Sequence, residues 1–216
     1  MTPTTPPASS TWSLIHSERE ALADDLAGLT GEQWVTGSLC DGLTVREVLA
    51  HLTAGADLGF LRWMTGVLRC RFDFDRQVAM RLAEQLGATP TETLARFRQV
   101  AGSTTKPLPS TLAMLGETVV HAEDIRRPLG IGHDYPVATL TTLATYYQCS
   151  DLPVRSKKRV AGLRLTATDG PFAAGDGPQL SGTTLALVMA MAGRMAYCEE
   201  LEGQGVALLC ERHAAL

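Results

Sequence analysis

From Trp12 to Leu29 apolar residues recur at Trp12, Ile15, Leu22, Leu26 and Leu29 with charges between them. That spacing places them on one face of an amphipathic helix. Gly31 to Gly42 reads as a loop holding Trp34 and Cys40. Thr44 follows as an N-cap, and Glu47 completes a capping box. A second helix is therefore predicted through Val48, Leu49, His51 and Leu52 towards Met64. Asp73 to Leu86 gives a third helix, ended by Gly87. Thr89 and Pro90 open a fourth, with Leu94 and Phe97 on its apolar face. Pro107 and Pro109 then break the chain, and Ser110 caps a helix that runs to Arg127, ahead of Pro128 and Gly130. Pro136 to Cys149 completes the helical part, whose short connections predict a bundle.

The pattern changes beyond Pro153. Arg155 to Arg159 is a basic run, read as a solvated linker. Leu163, Leu165 and Ala167 alternate as in a strand, and Asp169 to Pro171 and Gly175 to Pro178 carry turn chemistry. Gln179 to Gly182 suits a short strand, Thr183 to Gly193 a buried helix, and Val206 to Arg212 a last short helix. The expected organisation is a disordered tail over residues 1–9, a helical bundle over 10–150 and a small α+β domain over 155–216. The fold class is mainly α.

Composition narrows the function classes. The 216 residues are 45% hydrophobic and 19% charged, an ordinary globular balance. The net charge of −4 is spread without a basic stripe, which argues against nucleic-acid binding. The five cysteines are odd in number and lack a CxxC pair, and the opening residues have neither a basic nor an apolar signal region. The longest apolar stretch, Thr183 to Gly193, is too short to span a bilayer. A cytoplasmic protein with reduced thiols and no membrane partner is expected.

Candidate chemistry lies in Gly116 to Pro128. Glu117 and His121 are four residues apart and share a helix face, separated by about 40° at about 100° per residue. Asp124 falls on the same stripe, flanked by Met114, Ile125, Ala113 and Val120. A carboxylate and an imidazole among apolar neighbours cost several kcal/mol unless they are paired or ligate an ion. His51, in another apolar helical stretch, is the third candidate ligand. Two imidazoles and a carboxylate would leave a fourth position open, as in catalytic zinc sites. Nickel, iron and manganese also suit this ligand type.

Each residue has a plainer reading. Glu117 and His121 also suit a helix-surface contact, and His51 a satisfied core histidine. Glu47 fits the helix start better than ligation. Asp124 suits either orientation of an imidazole or a pair with Arg127. His16, His133 and His213 receive no role, and Cys40 lacks basic neighbours that would make it nucleophilic.

Three segments resemble the mycothiol-dependent maleylpyruvate isomerase family, part of the DinB-like metal-binding bundles. They are Ser38 to Gly42, Thr44 to Leu52 and Gly116 to Gly130. The resemblance implies a DinB-like four-helix bundle followed by a shortened α+β C-terminal domain. It also implies a His, Glu, His metal triad at His51, Glu117 and His121, and mycothiol as a low-molecular-weight thiol cofactor. In that family an arginine ending the apolar C-terminal helix is tied to activity. The matching residue is Arg194, which suits either a substrate carboxylate or the negative end of its helix. One departure is Leu43, where the family commonly has Trp, in a loop that shapes the substrate pocket.

The function implied is a metal-activated thiolate attacking an electrophilic small molecule. An isomerase adds the thiolate to a cis double bond, rotates and eliminates; an S-transferase leaves the thiol attached. The triad serves both. Two other classes remain: a non-catalytic metal- or ligand-binding DinB-like protein, and an all-structural bundle that binds no metal.

Overall fold

In the computed structural model, which describes residues 8–107 and 109–215, the chain divides into two compact units, Pro7–His133 and Asp134–Leu216. Residues 1–7 of the expected tail lie outside the described residues, and Ala8 and Ser9 already belong to the first helix.

The first unit contains α1 (Ala8–Asp25), α2 (Gly31–Trp34), α3 (Val45–Asp57), α4 (Phe60–Arg69), α5 (Phe74–Gln85), α6 (Pro90–Val100) and α7 (Thr111–Leu129). Four of these surround one core: Leu22 and Leu26 from α1, Val48, Leu49 and Leu52 from α3, Leu94 and Phe97 from α6, and Ala122 and Ile125 from α7. This is the expected four-helix bundle. Trp34 of α2, in the predicted loop, closes the same core. The sequence periodicity of each helix thus becomes burial of its apolar stripe, the main source of helical stability in proteins.

Local chemistry sets most boundaries. Thr44, Asp73, Thr89 and Ser110 cap α3, α5, α6 and α7, each side-chain oxygen accepting a backbone N–H. The helix predicted to continue to Met64 instead ends at Asp57, because Leu58 and Gly59 are extended and Gly59 starts α4. Conversely, α7 passes through Pro128 and closes at Gly130, whose φ of 67° is the left-handed C-terminal conformation glycine tolerates. Pro128 has no N–H to offer the Asp124 carbonyl four residues back. The N–H of Leu39 occupies that carbonyl at 3.0 Å, tying the Ser38 to Gly42 loop to α7.

The second unit holds α8 (Val137–Cys149), α9 (Ser156–Val160), strands β1 (Arg164–Ala167), β2 (Ala173–Ala174) and β3 (Gln179–Gly182), α10 (Thr184–Met191), a 3-10 turn (Met195–Glu200) and α11 (Gly205–Ala215). The sheet order is β2-β1-β3, with β2 antiparallel and β3 parallel to β1. Leu165 pairs with Leu180, and both are buried beneath α10, which also packs along α8.

The basic run departs from the linker expectation. Ser156 to Val160 is helical, and Ser156 and Arg159 are buried. Arg159 Nη1 donates to the Met191 carbonyl at 2.6 Å, so the guanidinium satisfies an acceptor at the C-terminal end of α10. Strand β2, between the two predicted turns, was not expected. It ends at Gly175 with φ 75°, where a Cβ would collide with the Leu163 carbonyl of the neighbouring segment. Among the described residues no helix is long and apolar enough to cross a membrane.

Candidate metal centre

Helix α3 begins with the reciprocal box read from the sequence. The Thr44 N–H donates to Glu47 Oε2 at 2.8 Å, and the Glu47 N–H donates to Thr44 Oγ1. Glu47 is thereby spent on the helix start. Val48, Leu49 and Leu52 anchor α3 in the core and leave His51 half-buried at its edge. On α7, the residues from Thr118 to Arg126 are all buried, and Glu117 sits half-buried at the start of this run.

The bundle brings His51, Glu117 and His121 together. One ligand atom from each lies within 4.8 Å of the others. His51 Nε2 is 3.6 Å from Glu117 Oε2, and His121 Nε2 is 3.4 Å from the same oxygen. The two rings meet edge to face with centroids 4.8 Å apart. These separations are long for hydrogen bonds, whose usual limit is about 3.2 Å. They match the spacing of neighbouring ligands in a tetrahedral site, about 3.3 to 3.5 Å for metal–ligand bonds near 2.1 Å. The donor set and its spacing therefore fit a divalent ion.

The electrostatics agree. Burial alone would raise the Glu117 carboxyl, but His121 and His51 outweigh it and hold the group well below the usual carboxylate range. Burial alone would lower the His121 imidazole; Asp124 and Glu117 overcome it and raise the ring to about 9. His121 Nδ1 is 2.8 Å from Asp124 Oδ2, and the Asp124 side chain is fully buried. Asp124 thus takes the orienting position, with Nδ1 as donor and Nε2 presented to Glu117.

The site also contains a residue the sequence reading set aside. Cys40, His121 and Asp124 each offer a ligand atom within 4.8 Å of the others. The loop is positioned by the Leu39 bond to the Asp124 carbonyl and by Ser38, whose hydroxyl donates to the Leu43 carbonyl at 2.8 Å. Leu43, the departure from the family pattern, packs with Cys40 against the bundle core. The signal available in the sequence was Pro128, which leaves one α7 carbonyl without its helical donor.

Other histidines have structural partners: His16 Nε2 lies 3.2 Å from the Ser103 carbonyl, and His133 Nε2 lies 2.8 Å from Glu18 Oε2. Arg194 belongs to the second unit. Its N–H donates to the Met189 carbonyl at 2.9 Å and its Nη1 to the Ala192 carbonyl at 3.0 Å, so it does serve the end of α10.

Residues 15–111 match the family described as the mycothiol maleylpyruvate isomerase N-terminal domain. The match takes in His51 and stops ahead of Glu117 and His121. No curated protein matches the chain. Among solved structures, the crystal structure of the mycothiol-dependent maleylpyruvate isomerase is similar at a TM-score of 0.59 and 19% identity, over 92% of this chain and 93% of that one. A histidine-to-alanine mutant of the mycothiol-dependent maleylpyruvate isomerase gives 0.57 and 15% over the same shares. At such identities the likeness is one of fold.

Proposed function

We propose, from the match of residues 15–111 to the mycothiol maleylpyruvate isomerase N-terminal domain family and from the geometry of the site, that the chain is a metal-dependent, thiol-utilising enzyme. It would hold a divalent ion, zinc first among the candidates, on His51, Glu117 and His121. Its cosubstrate would be mycothiol or a chemically similar low-molecular-weight thiol, and its substrate an electrophilic small molecule. The observation that carries this reading is the spacing of the three side chains, too wide for hydrogen bonds and right for shared ligation.

The roles of the chain's own residues follow. Asp124 holds the His121 ring by Nδ1 and keeps Nε2 available. Glu117 stays ionised at neutral pH and supplies the negative charge that a dication needs. A bound divalent ion supplies a Lewis acid that lowers the pKa of a coordinated thiol. His51, Glu117 and His121 would supply three ligands to such an ion, one fewer than zinc commonly takes. Arg194 is assigned to a substrate carboxylate, which its planar fork suits. Cis–trans isomerisation and S-transfer need the same ligand set, so both reactions fall within the proposal.

Metal content of protein purified without a polyhistidine tag tests the first step. About one ion per chain, lost in His51→Ala and in His121→Ala, is expected; no stoichiometric ion would leave an all-structural bundle. Thiol consumption by metal-loaded protein, against maleylpyruvate and a panel of electrophiles, tests the second. Turnover that requires both thiol and metal supports the enzyme. Absence of turnover with every electrophile points to the non-catalytic metal- or ligand-binding alternative.

A further inference from the structure

His121 belongs to two groupings of potential ligands. Its Nε2 lies 3.4 Å from Glu117 Oε2, and its Nδ1 lies 2.8 Å from Asp124 Oδ2. Cys40 joins the second grouping, in which one ligand atom each from Cys40, His121 and Asp124 lies within 4.8 Å of the others. His51 and Glu117 belong to the first grouping alone. His121 and Asp124 are buried and Cys40 is half-buried, unlike the solvated acidic clusters that are common on protein surfaces.

A built loop holds the thiol in place. One residue before Cys40, the Leu39 N–H donates to the Asp124 carbonyl at 3.0 Å. The Cys40 N–H donates to Ser38 Oγ at 3.1 Å, and the Cys40 carbonyl accepts the Leu43 N–H at 3.0 Å. Cys40 and Leu43 pack together against the bundle core. The other two donors stand on one buried stretch of α7. Three donors of different chemistry are therefore brought together by fixed backbone, which lowers the ordering cost of gathering them on an ion.

We propose that Cys40, His121 and Asp124 form a second ion position, for a dication softer than zinc such as cadmium, filled in alternation with the His51, Glu117 and His121 position. A thiolate ligand favours soft cations, whereas imidazole with carboxylate alone suits harder ones. The incoming ion replaces the proton between Nδ1 and Oδ2 and displaces the proton of the Cys40 thiol, and both protons pass to solvent. A neutral imidazole offers a lone pair on one nitrogen only. With the ion on Nδ1, Nε2 carries the hydrogen and cannot ligate beside Glu117. With an ion on Nε2, Nδ1 donates to Asp124 across the 2.8 Å contact. His121 thus serves one position at a time, and a soft ion beside Cys40 would dismantle the first grouping and with it the proposed thiol chemistry. The alternation rests on the metal reading of that first grouping; the second position does not.

The test titrates cadmium into metal-free full-length chain and follows the ultraviolet thiolate-to-cadmium charge-transfer band, with circular dichroism as the control for folding. The band should saturate at about one ion per chain, disappear in Cys40→Ser and persist in His51→Ala. Zinc content should show the opposite pattern, kept in Cys40→Ser and lost in His51→Ala. In zinc-loaded wild type the band should grow only as zinc is released. The second position is overturned if excess cadmium gives no band, or if Cys40→Ser keeps it. Loss of the band in His51→Ala overturns it too, since the thiol would then share the first ion. A full band with all zinc retained overturns the alternation. Should Cys40→Ser fail to fold, peptide mapping of alkylated wild type decides: cadmium should protect Cys40 while exposed Cys149 still reacts, and equal labelling of Cys40 with and without cadmium overturns the site. A chain that gives the band but binds no zinc sinks the metalloenzyme reading alone, and the reverse result sinks the second position alone.

Discussion

His121 Nδ1 and Asp124 Oδ2 are 2.8 Å apart, with the Asp124 side chain fully buried. The carboxylate fixes both the tautomer and the orientation of the ring, and it strengthens Nε2 as a ligand. Asp124→Asn keeps an acceptor but removes the charge. Metal affinity should fall about tenfold, the lower end of the range for such outer partners. Competition with a chromophoric chelator measures it, with circular dichroism as the control for folding. An affinity unchanged within a factor of two would detach Asp124 from the site.

The pH dependence of metal-free protein follows from the same pair. The His121 value of about 9 lies above its ordinary 6.5. Its contribution to stability is therefore complete below about 6.5 and is lost as pH rises through about 9. Glu117 is depressed, so its contribution is present above its ordinary 4.5 and is lost as pH falls towards the folded value. The Tm of metal-free protein should peak between these limits and decline towards pH 9. His121→Gln should flatten the alkaline decline. A Tm that rises from pH 7 to 9 in metal-free wild type contradicts the assignment.

Metal loading must displace the proton of His121, so affinity should rise with pH across the neutral range. Calorimetric titrations in two buffers of different ionisation enthalpy should report release of about one proton per ion near pH 7.5. Zero release would mean that His121 is already neutral or is no ligand.

Thr44 caps the helix that carries His51, and its hydroxyl donates to Glu47 Oε2 at 2.7 Å. Thr44→Ala should destabilise the protein by about 1 kcal/mol, the usual cost of a lost N-cap. Urea unfolding gives the value. The midpoint should move while the slope stays constant.

Arg194 has a helix-end role in the structure and a proposed role towards substrate. Arg194→Lys keeps a cation for the α10 carbonyls but loses the planar fork. If the fork holds a substrate carboxylate, kcat/KM should fall about tenfold or more while metal content and Tm stay unchanged. Unchanged kinetics in the lysine variant would leave Arg194 to the helix end alone.

The legible parts of the molecule are those governed by neighbours along the chain. The capping of α3, α5, α6 and α7 and the apolar stripes that meet in the bundle core are short-range patterns, and the helices follow them. The pairing of Glu117 and His121 on one helix face is of the same kind, because residues four apart are neighbours on any α-helix. Boundaries were less secure. Leu58 and Gly59 interrupt a helix whose pattern runs on, and Pro128 fails to interrupt one that it should end.

The sequence by itself determined the helices, the apolar faces and the two α7 side chains of the candidate site. Only the tertiary structure decided that His51 meets them, since that depends on how α3 and α7 pack across a shared core. It alone decided that Leu39 takes the carbonyl released by Pro128 and so brings Cys40 to Asp124. It alone turned Arg159 from a supposed linker into the donor at the end of α10. Spacing along one element fixes which side chains share its face. Which faces meet is fixed by burial and by donors seeking distant acceptors, and neither is written in local spacing.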